Sequence, residues 1–155
     1  MHIKEAMKTK VRAIAPETRF REILNIHDTE EVHRIYVTDS RGKLLGVITS
    51  YDILKLLVPE YLGASVARGI VEDGRSFVEN AFERYKERTA RELMTTPVLS
   101  IGPDDPLLAA QTLLRDKNVY ALAVVAPDGE LLGEVTRMDV LRRLHRAFGF
   151  GGDTT

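Results

Sequence analysis

The sequence contains no cysteine, which removes a disulfide framework, a thiolate zinc site and a cysteine nucleophile together. It carries no surplus of charge: 22 basic and 23 acidic residues leave a formal net charge of −1. No global field therefore draws it to nucleic acid or to an anionic membrane. No apolar run approaches the roughly 20 residues of a membrane helix. The opening Met1-His2-Ile3-Lys4-Glu5-Ala6 has an early acidic residue and no long apolar core, so a signal peptide is not expected and a cytoplasmic location is. Catalytic signatures are also missing. There is no H-E-x-x-H, G-x-S-x-G or P-loop, and His2, His27, His33 and His145 lack metal-ligand spacing. Asp28, Glu30 and Glu31 beside His27 suit a helix end facing water. The expectation is a protein that is not an enzyme and needs no metal or resident cofactor.

What is present is a globular composition, 44% apolar and 29% charged over 155 residues, and an internal repeat. Shifting the chain by 87 residues aligns Met7 with Met94, Pro16 with Pro103, Gly46 with Gly133, Thr49 with Thr136, Asp52 with Asp139 and Leu54 with Leu141. Gly42-Lys43-Leu44-Leu45-Gly46 falls on Gly129-Glu130-Leu131-Leu132-Gly133, and no gap is needed. Between residues 4 and 57, 16 of 54 positions are identical to their partners. Such a period marks a duplicated structural unit.

Each copy predicts the same elements. A short alternating strand (11–14; 98–101) ends at a proline and a helix start, with Thr18 in the cap position of the first copy. Asp105 is the expected cap in the second, with Pro106 at the first helical position. Apolar spacing of three and four predicts helices over 20–27 and 107–114. Two strands follow, 34–38 and 43–49, then 121–125 and 130–136, joined by Asp39-Ser40-Arg41-Gly42 and by Pro127-Asp128-Gly129. Helices over 50–57 and 137–145 close the copies. About 55 residues is marginal for an independent core, so the copies are expected to pack as one pseudo-twofold pair with a cleft between them. The fold class is mixed α/β (α+β): 1–57 and 90–146 are the two units, 58–89 is a helical insertion and 147–155 is a flexible tail.

In the insertion, Pro59-Glu60-Tyr61-Leu62-Gly63 ends the preceding helix. Phe77, Val78, Ala81, Phe82 and Tyr85 then have amphipathic helical spacing, suited to an interface or to covering an end of the core. The basic Arg142-Arg143-Leu144-His145-Arg146 suits a helix C-terminus, and Phe148-Gly149-Phe150-Gly151-Gly152 reads as a frayed tail.

The chemistry lies in Gly46-Val47-Ile48-Thr49-Ser50-Tyr51-Asp52 and Gly133-Glu134-Val135-Thr136-Arg137-Met138-Asp139. Each places a hydroxyl where a strand becomes a helix, beside unpaired N–H groups that attract phosphate. Three residues later a carboxylate can hold a ribose diol. Thr-x-x-Asp is equally a capping box, which satisfies backbone donors with no ligand, and the spacing leaves both readings open.

The wider pattern resembles the CBS-domain family. It comprises Ile3-x-x-x-Met7 and Ala90-x-x-x-Met94, Pro16 and Pro103, Val32-His33-Arg34-Ile35-Tyr36-Val37-Thr38-Asp39, Gly42 with Gly46, and the terminal Thr-x-x-Asp. The resemblance implies two β-α-β-β-α units, pairing of such modules into homodimers, and a non-catalytic regulatory role. It also implies an adenosine-containing regulatory ligand: AMP, ADP or ATP, or alternatively S-adenosylmethionine or NAD. It assigns Thr49 and Thr136 to phosphate, Asp52 and Asp139 to ribose, and Lys10-Val11 and Pro97-Val98 to adenine. His33-Arg34 resembles a phosphate-contacting pair in the γ subunit of AMP-activated protein kinase, and arginine's planar fork suits phosphate. The second copy departs from this with Tyr120-Ala121, and with Glu134 in place of Val47, so unequal sites are expected. A ligand-free dimerisation or protein-interaction module is the alternative. The expected partners are an adenosine-containing small molecule, a second copy of the chain and a protein effector, with no nucleic acid and no membrane.

Overall fold

The structure, a computed structural model, describes residues 1–58, 63, 68 and 74–149. The expected break at 59–62 and the tail from Phe150 onward lie outside the described residues. Both copies follow the order β-α-β-β-α. The first contains β1 (Ala13–Ile14), α1 (Phe20–Thr29), β2 (Arg34–Thr38), β3 (Leu44–Thr49) and α2 (Ser50–Leu57). Then come α3 (Arg75–Tyr85) and α4 (Ala90–Leu93). The second copy contains β4 (Ser100–Ile101), α5 (Leu107–Asp116), β5 (Ala121–Val125), β6 (Leu131–Thr136) and α6 (Arg137–Phe148). Two three-stranded sheets result, ordered β1-β2-β3 and β4-β5-β6. In each, the short first strand lies parallel to the middle one: Ala13 opposite Tyr36, and Ser100 opposite Ala123.

Some boundaries differ from expectation for local reasons. Asp105 does not cap α5, because its Oδ2 accepts from the Gly102 N–H at 2.7 Å and Pro106 holds the cap position. Thr18 does not cap α1 either; Arg19 occupies that place and no side chain caps it. Helix α6 runs to Phe148, past the expected end at His145, and stops at Gly149 in the left-handed region (φ 58°).

The compact units are not the two sequence copies. One comprises 1–11, 38–45 and 97–155; the other comprises 12–37 and 46–96. In the first unit the N-terminal segment joins the second copy's core. Ile3 is completely buried with Leu107, Leu114, Leu122 and Val135, a burial worth roughly 1.5–3 kcal/mol for a side chain of this size. Ile3 N–H donates to Asp105 O at 3.0 Å and Lys4 N–H to Pro103 O at 2.9 Å. In the second unit the same bonds recur 87 positions on: Ala90 N–H donates to Thr18 O at 2.7 Å and Arg91 N–H to Pro16 O at 2.9 Å. Ala90, the counterpart of Ile3, is also completely buried. Each leading segment thus completes the other copy's body. The insertion helix α3 stays in this second unit, where Phe82 and Tyr85 meet the buried Phe20 ring at 6.3 and 6.2 Å between centroids.

Candidate functional site

The strand-to-helix junctions are built alike. Thr49, in extended conformation, ends β3 and caps α2. Its Oγ1 accepts from Asp52 N–H at 3.2 Å. Asp52 Oδ2 accepts in turn from Thr49 N–H at 2.8 Å and from the Thr49 hydroxyl at 2.9 Å. The second junction repeats this, with Asp139 N–H to Thr136 Oγ1 at 3.2 Å, Thr136 N–H to Asp139 Oδ2 at 2.9 Å and the Thr136 hydroxyl to Oδ2 at 2.7 Å. Both Thr-x-x-Asp motifs are therefore complete capping boxes.

They differ in the remaining carboxylate oxygen. Asp52 is half-buried, and its Oδ1 has no hydrogen-bond or ion-pair partner among the described residues. Asp139 is 4% exposed, and its Oδ1 faces Lys8 Nζ at 3.4 Å and Arg142 Nη1 at 3.8 Å.

The other expected site residues divide between the two units. His33 and Arg34 lie in the same unit as Thr49 and Asp52. The His33 carbonyl accepts from Ser50 N–H at 2.9 Å, which fixes this pair beside the head of α2. The Arg34 guanidinium lies against Tyr36, with Nε 3.3 Å from the phenol oxygen. Lys10, Val11, Pro97 and Val98 belong to the unit that holds Thr136 and Asp139; Lys10 and Pro97 are exposed, Val11 and Val98 half-buried.

Sequence reasoning missed the residues that lead into each first strand. Lys8 and Glu134 exchange backbone hydrogen bonds at 2.8 and 2.9 Å, and Thr95 and Val47 do the same at 2.9 and 3.2 Å. Lys8 is the repeat counterpart of Thr95, and Glu134 of Val47. The available signal was a glycine inside each third strand, since such a glycine often marks close backbone approach. A Cβ on Gly133 would collide with the Lys8 carbonyl, and one on Gly46 with the Met94 side chain.

Among the described residues no group of three or more His, Asp or Glu is placed to hold a metal ion. None of their helices is long and apolar enough to cross a membrane.

The sequence pattern of the CBS domain matches residues 3–59 and again residues 90–146. A CBS domain-containing protein of Dictyostelium discoideum is 26% identical over 139 residues, covering 90% of this chain and 88% of its own length. An uncharacterised protein of Methanocaldococcus jannaschii is 27% identical over 110 residues; the match takes in 71% of this chain but 21% of that much longer relative. The crystal structure of CBSX2 in complex with AMP, a CBS-pair protein of Arabidopsis thaliana, superposes with a TM-score of 0.72 at 22% identity, over 94% of this chain and 97% of that one. With both halves of the repeat matched, the chain belongs to the CBS-domain family as a tandem pair of its units.

Proposed function

We propose that this CBS pair is a non-catalytic regulatory module that binds an adenosine-containing ligand of the AMP, ADP or ATP type at the first copy's Thr-x-x-Asp junction. Binding alters its conformation or its affinity for a protein effector. The observation that carries this reading is Asp52, whose Oδ2 is held by the capping box while Oδ1 has no partner among the described residues. A carboxylate oriented by one oxygen and open at the other suits a vicinal diol. With the Ser50 and Asp52 N–H groups bonded within the chain, the Tyr51 N–H and the positive end of α2 support a phosphate position, with His33 and Arg34 beside it. The AMP in the CBSX2 complex supports the ligand class. The chain is further proposed to act in the cytoplasm as a homodimer, which the exposed apolar pairs Tyr51 and Leu54 on α2 and Met138 and Leu141 on α6 support.

Calorimetry and thermal unfolding with AMP, ADP, ATP, S-adenosylmethionine and NAD test the ligand. At 100 times its Kd a ligand stabilises the protein by about 2.7 kcal/mol. Absence of binding by all five overturns the proposal.

One observation favours a second reading. Both capping boxes are complete within the chain, so Thr49, Asp52, Thr136 and Asp139 have a structural role without a ligand. A module for dimerisation or protein interaction would show a dimer by light scattering and no response to any of the five compounds.

A further inference from the structure

The two junctions share a geometry and differ in what meets the second carboxylate oxygen. At Asp139 the Lys8 ammonium lies 3.4 Å from Oδ1. Its backbone is pinned to Glu134 by two hydrogen bonds and its carbonyl packs on Gly133, so the root of this side chain is held beside Asp139 although the side chain itself is 48% exposed. Among the described residues the other cation on this oxygen is Arg142, farther away at 3.8 Å with a 58% exposed side chain. Among the described residues Asp52 has neither cation within ion-pair distance. The counterpart of Lys8 is Thr95, and the counterpart of Arg142 is Lys55, whose ammonium lies over the Tyr51 ring at 5.4 Å.

From this difference between Lys8 and Thr95 we infer that Lys8 is a built-in stopper that keeps the second junction from taking an adenosine ligand, so that the chain binds one nucleotide and not two. The inference rests on the nucleotide reading above and adds its stoichiometry. A ribose diol reaching Asp139 would have to displace an ammonium from a carboxylate that is 97% buried. Ion pairs at such poorly solvated carboxylates are costly to break because the remaining charge is left uncompensated.

The test is the number of AMP, ADP or ATP molecules bound per chain, measured by calorimetry on wild type, Lys8→Thr and Lys8→Met. Threonine restores the residue of the first copy; methionine keeps an apolar stem without charge. Cooperative thermal unfolding of both variants establishes that they fold. One equivalent for wild type and two for both variants is expected, with the second equivalent abolished by Asp139→Asn. One equivalent for all three proteins overturns the stopper and leaves nucleotide binding at the first junction standing. Two equivalents for wild type, or weaker binding in the variants, overturn it by making Lys8 a neutral or ligand-contacting residue. Failure of all three proteins to bind overturns the inference together with the nucleotide reading.

Discussion

Gly133 lies directly under the carbonyl of Lys8, so close that a methyl group on its α-carbon would occupy the space of that oxygen. The glycine sits inside β6 and the lysine in the leading segment of the other copy. The same arrangement at Gly46 involves the side chain of Met94. The two glycines share a repeat position but meet different kinds of atom.

That difference predicts unequal costs. Gly133→Ala must push backbone aside and break the Lys8–Glu134 pairing, so it should cost about 1–3 kcal/mol, the usual range for overpacking. Gly46→Ala meets the Met94 sulfur and γ-carbon, which can rotate away, and the Met94 Cβ at 2.8 Å, which moves only with its backbone, so it should cost less than Gly133→Ala but still be destabilising. Thermal unfolding of the two variants should rank Gly133→Ala below Gly46→Ala. Equal loss would mean that the contact with the Lys8 backbone is unimportant.

The exchange of leading segments makes Ile3 a core residue of a body that begins some ninety residues later. It is completely buried among side chains of α5, β5 and β6. Ile3→Ala should therefore destabilise the protein by about 2–5 kcal/mol, the range for deleting a large buried aliphatic group. The loss should be read locally, as faster amide exchange in α5 and β6 (Leu107–Asp116 and Leu131–Thr136). Accelerated exchange confined to residues 1–11 would show that the segment only rests on the surface.

Much of the architecture was legible because it is local. Strands β2 and β5, helix α2 and both capping boxes fall where alternation, apolar spacing and Thr-x-x-Asp put them. The exchange was not legible. Periodicity reports which face of a segment is buried and says nothing about which distant body buries it, so Ile3 and Ala90 read as parts of their own copies. The capping of α5 also escaped prediction. The Asp105 carboxylate had a nearer donor in the Gly102 N–H, and the turn took it from the helix. At the candidate site, the motif residues were visible as types at a spacing. The role of Lys8 depends on a contact across more than a hundred positions that no local pattern encodes.

The capping boxes should differ in worth as their burial differs. Loss of a threonine N-cap costs about 0.5–2 kcal/mol. Thr136 is 2% exposed while Thr49 is half-buried, so Thr136→Ala should fall at the upper end and Thr49→Ala at the lower. Denaturant midpoints check the order. Asp52→Ala separates structure from ligand: a stability loss of cap size together with a far larger loss of nucleotide affinity assigns Asp52 to the ligand. A stability loss with unchanged affinity would leave it only the cap.

Acid should release the N-terminal segment through Glu5. A hydrogen bond from Arg143, 2.6 Å between Nη2 and Oε2, and a second from the His2 N–H hold its carboxyl at about 2, below the ordinary 4.5. A carboxyl depressed in the folded state contributes stability that is complete above its unfolded pKa and is lost as pH falls through the folded one. The contribution is therefore intact at pH 7 and disappears between about pH 5 and pH 2. Other carboxylates with depressed values, Asp104 beside Lys4 among them, share part of this window, so the measurement must be a difference. Glu5→Gln should be less stable than wild type at pH 7, and the gap between the two should close as both are titrated toward pH 2. The group is solvent-exposed, so the gap should also shrink when salt is raised at pH 7. A gap that stays constant across the titration would show that Glu5 acts through its shape and not its charge.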